Sequence, residues 1–232
     1  MKNTFKKIWS FLWKTALLFI ILSIFSVVLF RWVPVPITPL MLVRCVEQKR
    51  ANNEIILKKD WMPLEKISPN LQLAVVCSED QNFVEHSGFD FKAINNAFKY
   101  NQNHKKKRGA STISQQTAKN VFLWQGRSWF RKGLEVYFTF LIEIIWSKER
   151  IMEVYLNVIE MGKGIYGAQA AAHYYFHKEA SNLSKSESAL IAAALPNPIK
   201  FSVLNPTAYI LKRRAWIIHQ MALSDGVLKY KE

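Results

Sequence analysis

Hydrophobic and polar positions divide the chain into two unequal parts. The first is dominated by an uncharged run, TALLFIILSIFSVVLF, from Thr15 to Phe30. Counted back through Ile8, with Lys14 reaching along the helix to the interface, residues 8–30 form an apolar stretch of about 23 positions, enough to span a bilayer as a helix. Trp9, Trp13 and Trp32 stand where interfacial aromatics belong. The exit, RWVPVPITP, contains no small-x-small cleavage signal, so the pattern predicts a retained anchor rather than a cleaved signal peptide. Lys2, Lys6, Lys7 and Lys14 predict a basic cytoplasmic tail over residues 1–14, which would place residues 31–232 outside the cytoplasm.

The second part has a helical period. Residues 31–69 read as a linker and domain entry, stiffened at first by PVPITP, with few clear signals after it. From Leu71 apolar residues recur at helix spacing, through LQLAVVCSEDQNF and then FDFKAINNAFKYNQN beyond a turn at Ser87-Gly88. STISQQTAKNVFLW begins with the hydroxyl and amide residues of a helix start. KGLEVYFTFLIEIIWSKERIMEVYLNVI predicts two apolar helices joined near Ser147. AQAAAHYYF and SESALIAAALPNP predict small-residue helices that pack closely, and PTAYILKRRAWIIHQMAL a final amphipathic helix. No stretch alternates with a period of two, so the expected fold is mainly α, with a domain over residues 70–232.

Composition sharpens this picture. A chain that is 50% hydrophobic and 13% aromatic is not disordered. Its 32 basic and 17 acidic residues give a net charge of +15, which points to a polyanionic partner. Setting aside the four amino-terminal lysines leaves 28 basic against 17 acidic residues in the exported part. Outside the cytoplasm, an anionic lipid or lipid-linked substrate is a better match than nucleic acid. Cys45 and Cys77 are the only cysteines, and Cys77, in LQLAVVC, reads as a buried free thiol. No Cys/His metal spacing is present.

Three segments carry candidate chemistry. SEDQNFVEHSGFD, Ser78 to Asp90, gathers four carboxylates and a histidine around a glycine turn. In RGASTISQQTAKN a helix would align Ser111, Gln115 and Lys119 along one side, with Thr112 and Gln116 in the next row. In RSWFRKGLE it would align Arg127, Arg131 and Glu135, with Lys132 beside them and aromatic residues all around. Each pattern alone is also what an exposed polar helix face looks like.

Together with IMEVYLNVIEMGKGIYGAQAAAHYYF and ALIAAALPNP, and in this order, the segments resemble the peptidoglycan glycosyltransferase family from about Leu71 to Met221. The anchor and short length are similar to the family's monofunctional members. No Ser-x-x-Lys, Ser-x-Asn and Lys-Thr-Gly set follows, so no transpeptidase activity is expected. The resemblance implies a lysozyme-like, two-lobed fold and the polymerisation of lipid II onto a glycan held on undecaprenyl pyrophosphate. It implies a single-pass protein of the bacterial cytoplasmic membrane, working among other cell-wall synthesis proteins.

Carried over residue by residue, the resemblance makes Glu79 the base that takes the proton from the acceptor 4-hydroxyl. Lys119 and Arg127 match cations placed at the leaving pyrophosphate, with Lys132 added to them. Glu135 matches a second important glutamate, read as orienting the basic groups. Ser111, Thr112, Gln115 and Gln116 match substrate-contacting positions, and Asp80 a second acid that supports Glu79 or binds substrate. His86 and Asp90 are expected to hold the turn around Gly88, Phe83 to lie in the core and Glu85 in solvent. The family's use of a divalent cation implies Mg²⁺ or Mn²⁺ at the pyrophosphate without a dedicated protein cage. A polyprenyl-linked substrate further implies that part of residues 121–146 dips into the membrane. The basic loop at residues 104–108 is expected to be a solvated charge run that also attracts anionic headgroups or lipid II.

Overall fold

A computed structural model describes residues 2–104, 107–126, 128–224 and 228–230, with residues 2–5 as backbone only. It divides into two compact units, one ending at Pro34 and the other beginning at Val35. The first consists of helix α1 (Lys2–Phe30) and the turn after it. Within α1, Lys6–Phe30 is 25 residues, long and apolar enough to cross a membrane, and at 1.5 Å per residue it reaches about 38 Å. Its hydroxyls donate back into the helix, Thr15 to the carbonyl of Phe11, Ser23 to that of Ile20 and Ser26 to that of Ser23. This satisfies the polar side chains without water, as an apolar solvent requires.

The second unit is mainly α, as expected. Most of its helices begin where the residue types dictate. Ser68 caps α3 (Pro69–Glu79), Asp90 caps α4 (Phe91–Asn103) and Thr112 caps α5 (Ile113–Phe122). Ser128 caps α6 (Trp129–Ile145) and Ser147 caps α7 (Lys148–Val158), so the join predicted near Ser147 is where one apolar helix gives way to the next. After α8 (Ala168–Phe176), Ser184 and Glu187 form a capping box on α9 (Lys185–Ala194), and Thr207 caps α10 (Ala208–Leu223). Each such cap satisfies one of the unpaired amides at a helix start.

Two helix groups emerge. α3 is buried along Leu71–Cys77 between α9, whose alanines allow close approach, and α10. α5 packs on α6 and α7. Glu79 ends α3 at the edge of the first group, and α5 faces it from the second.

Three features depart from the sequence reading. Residues 31–69 are not all linker, because α2 (Pro39–Arg50) forms there, capped by Thr38, and touches α5. The domain therefore starts at Val35 rather than near residue 70. There is also a small sheet, β1 (Lys58–Lys59), β2 (Glu160–Gly162) and β3 (Ile165–Tyr166), in the order β1-β3-β2. β1 runs parallel to β3 and β2 antiparallel to it. Strands of two and three residues are too short for alternation to register. Gly164 makes the pairing possible, since at φ +71° a Cβ there would lie 2.2 Å from the carbonyl oxygen of Ile56.

Candidate active site

The site is built around the end of α3. Asp80 leaves the helix in an extended conformation, with φ −161°, and its carboxylate turns inward. One oxygen accepts from the amide of Ile113, in the first turn of α5, at 2.9 Å, and the other lies 2.9 Å from Nε2 of His86. Asp80 thus ties α3 to the start of α5 and to the turn after it. Thr112 adds a second tie, its Oγ1 donating to the carbonyl of Gly88 at 2.7 Å. Gly88 has φ +86°, and a Cβ there would meet Thr139 and Glu143 of α6 at 2.9 Å. Asp90 accepts from the amide of Ala93 and from Asn82 Nδ2, both at 2.7 Å, and these bonds hold its carboxyl below the usual range. Phe83 is fully buried and Glu85 is exposed.

With its neighbour fixed inward, Glu79 faces outward, its side chain 13% exposed. Gln116 of α5 donates from Nε2 to Glu79 Oε2 at 3.0 Å. Behind it Tyr155 of α7, fully buried, donates to Gln116 Oε1 at 3.3 Å. On the other side Arg213 of α10 donates to the carbonyl and hydroxyl oxygens of Ser78 at 3.3 and 3.0 Å, and its guanidinium lies 4.0 Å from Glu79 Oε1.

Two of the clefts that Glu79 lines also take in Gln116. One, of about 630 Å³, is walled by Gln116, Lys119, Asn120, Arg44 and Glu160. The other, of about 770 Å³, is walled by Lys107, Arg108, Tyr209, Arg213 and Trp216. Ser111, Gln116 and Pro196 border both. In the first cleft, Lys119 makes no ion pair or hydrogen bond with any described residue. Burial lowers its pKa below the ordinary lysine value; Glu135 and Glu79 oppose that shift, while Arg131 and Lys132 add to it. Glu160, the other carboxylate of this cleft, is held by Arg44 at 3.2 Å.

Glu135 is buried in α6 and gripped by two cations. Arg131 Nη1 lies 2.8 Å from one of its oxygens and Lys132 Nζ pairs with the other. Arg131 also donates to the carbonyl of Gly126 at 2.8 Å.

The structure rearranges the row expected along α5. Ser111 precedes the cap Thr112, so neither belongs to the helix. Gln115 is buried, its Oε1 accepting the Thr112 amide at 3.0 Å to close a capping box. The cleft face consists instead of Gln116, Lys119 and Asn120. α6 is capped at Ser128, and Arg127, expected in one row with Arg131 and Glu135, lies outside the described residues. Among the described residues, no three His, Cys, Asp or Glu side chains converge as a metal-holding group.

A transglycosylase family model matches residues 48–222. The chain belongs to the transglycosylase family. It is 56% identical over 218 residues to a biosynthetic peptidoglycan transglycosylase of Bacteroides thetaiotaomicron, covering 94% of this chain and 88% of that protein. Another protein of that name, from Bdellovibrio bacteriovorus, is 52% identical over 222 residues, covering 96% of this chain and 89% of the relative. The matched region runs from the last residues of α2 into α10, so it holds Glu79, the second cleft, the first cleft except for Leu40 and Arg44, and the Glu135 cluster.

Of the sequence-predicted residues, Glu79, Gln116, Lys119 and Ser111 meet at the transglycosylase clefts. Asp80, Thr112 and Gln115 form the framework beneath them, and Lys132 and Glu135 supply the field beside Lys119. Sequence reasoning missed Tyr155, Arg213, Tyr209 and Trp216. Arg213 stood in a visible basic pair, LKRRAW, but nothing local placed it against Ser78, 135 residues earlier. Cys45 and Cys77 are both free thiols; Cys77 is buried, which raises its pKa.

Proposed function

We propose that the chain is a peptidoglycan glycosyltransferase that polymerises lipid II, with Glu79 as the general base. The observation that carries this reading is one outward carboxylate shared by two clefts, one of which holds the Lys119 ammonium, without an ion pair or hydrogen bond among the described residues. Lys119 suits that cleft to the donor, whose leaving group is a diphosphate. A half-buried cation with no ion pair among the described residues is free to take up the charge that develops as the anomeric bond breaks. The second cleft, with Arg213 and the aromatic faces of Tyr209 and Trp216, suits the acceptor sugar. Its 4-hydroxyl attacks from the side opposite the diphosphate, its proton passes to Glu79, and the α linkage becomes β-1,4.

Glu135 does not reach the reacting atoms in this reading. It keeps Arg131 and Lys132 in place, so that their field favours an anion beside Lys119. Asp80 and Gln115 position rather than bind. Asp80, Glu135 and Glu160 are already engaged, so a Mg²⁺ or Mn²⁺ ion would rest on diphosphate oxygens and water rather than on this chain. Such an ion would supply charge neutralisation, and no step above depends on it.

A lysozyme-like cleaving enzyme would require a carboxylic acid to protonate the leaving sugar oxygen. Glu160 is the remaining carboxylate of the cleft; burial raises its pKa, but Arg44 at 3.2 Å and the Gly164 amide at 3.4 Å oppose that shift and occupy its two oxygens. The apolar helix α1 supports anchoring in the cytoplasmic membrane with the catalytic unit outside. The exposed Trp129, Phe130, Val136, Phe140 and Ile144 of α6 support contact between this helix and lipid, on the side from which a polyprenyl-linked substrate arrives.

Purified protein should polymerise lipid II and should release no fragments from finished peptidoglycan. Glu79→Gln should fold normally and lose at least about 100-fold in kcat, the contribution of a positioned base. Fragment release without polymer, or an undiminished Glu79→Gln rate, would overturn the reading.

A further inference from the structure

The amide of Gln116 has two unlike ends, and only one of them is acceptable to Glu79. A carboxylate can only accept, so Nε2 must face it; a flipped amide would set two oxygens against each other. What stands behind the amide therefore matters. At its far end Tyr155 Oη lies 3.3 Å from Gln116 Oε1, and the ring is fully buried in α7 among Ile151, Met152 and Leu156. A phenol donating to Oε1 leaves the amide one orientation. The connection crosses three helices, from α7 in the core through α5 to the last residue of α3.

We propose that Tyr155 is a positioning residue for the base. It holds Gln116 with Nε2 on Glu79 Oε2, and so leaves Oε1, on the side of Arg213 and touched only by a long 3.4 Å bond from the Ser78 hydroxyl, as the oxygen that receives the acceptor proton. This rests on the reading of Glu79 as the base of glycosyl transfer. The donor role is secure across the working range, because burial and the charges of Glu79 and Asp80 push the Tyr155 hydroxyl well above its usual pKa. Other charged groups also bear on Glu79: Arg213 from α10, Lys119 from α5, Asp80 beside it, and Lys107 and Arg108 from the loop that lines the second cleft.

The test is Tyr155→Phe, which keeps the ring and removes only the donor. With lipid II, kcat should fall about tenfold, the loss of one hydrogen bond serving a charged group, with KM nearly unchanged. A bond donated to a carboxylate favours its ionised form, so the acid limb of the kcat/KM profile should move to higher pH as the amide loosens. A merely structural tyrosine would lower the unfolding midpoint without moving that limb.

Gln116→Leu approaches the same link from the other end and should show both effects. Adding Tyr155→Phe to Gln116→Leu should cost nothing further, since the relay is already cut. Equal losses from Tyr155→Phe in both backgrounds, an unshifted acid limb, or a fully active Gln116→Leu would each overturn the inference. Failure of the wild-type protein to make polymer would instead refute the assignment of function on which it rests.

Discussion

Two glutamates, Glu79 at the end of α3 and Glu135 within α6, stand in opposite circumstances. Glu79 has an amide at 3.0 Å, a guanidinium no nearer than 4.0 Å, and access to two clefts. Glu135 is buried, with both oxygens taken by cations of its own helix. A carboxylate that must accept a proton needs an open oxygen and a weak hold. One that must keep two cations in place needs the reverse. The difference shows that residue type does not assign the role: the partners available on neighbouring helices do.

The comparison can be broken most forcefully through Lys119, whose charge feels both glutamates. Lys119→Met should lower kcat/KM for lipid II by about 100-fold, as loss of a preorganised group at a developing anion does. It should also make the fold more stable, because its folded pKa lies below the unfolded value. Between those values the unfolded chain binds the extra proton, so at neutral pH the half-buried ammonium is a cost, and stability rises with pH toward the ordinary lysine value. Activity should move the other way, falling at high pH as Lys119 loses its proton. Polymerisation rates and urea unfolding across pH test both signs in one protein.

A smaller effect is expected at Glu135. Glu135→Gln leaves Arg131, only 11% exposed, without its charged partner, and should lower stability by about 2–3 kcal/mol. It should also lower activity, with KM rising as the cations lose their fixed positions. A variant as stable as wild type but inactive would instead indicate that Glu135 touches substrate. The smallest effect tests the turn between the helices: Asp90→Ala removes a helix cap and should cost about 1 kcal/mol at pH 7. The native Asp90 carboxyl has a folded pKa below its unfolded one. Its contribution is therefore present above the unfolded value and is lost as pH falls through the folded value, so the gap between variant and wild type should close in acid.

Much of this was legible in the chain. Hydroxyl caps at Ser68, Thr112, Ser147 and Thr207 mark helix starts because unpaired first-turn amides need acceptors, a local requirement. The anchor was legible because about 23 residues broken by a single lysine have few other uses. What could not be read was anything decided by an unlike neighbour. α2 was hidden in a segment with no clear period, and its place depends on α5. The three short strands exist only because Gly164 lets the chain come against Ile56. The row of Ser111, Gln115 and Lys119 was a fair reading of helix geometry, yet the cap at Thr112 began the helix one residue too late and turned Gln115 inward.

By itself the sequence determined the period of each helix, where most of them start, the excess of positive charge and the order of the motifs, since these depend on residues near one another. Only the tertiary structure decided which carboxylate would be open. Asp80 and Glu79 are adjacent and chemically alike, but His86 and the Ile113 amide claim the first, while Gln116, braced by Tyr155, presents the second to both clefts. Those partners come from two separate helices and a turn, and hydrogen-bond geometry at about 3 Å is a property of their packing, which no single stretch of the chain contains.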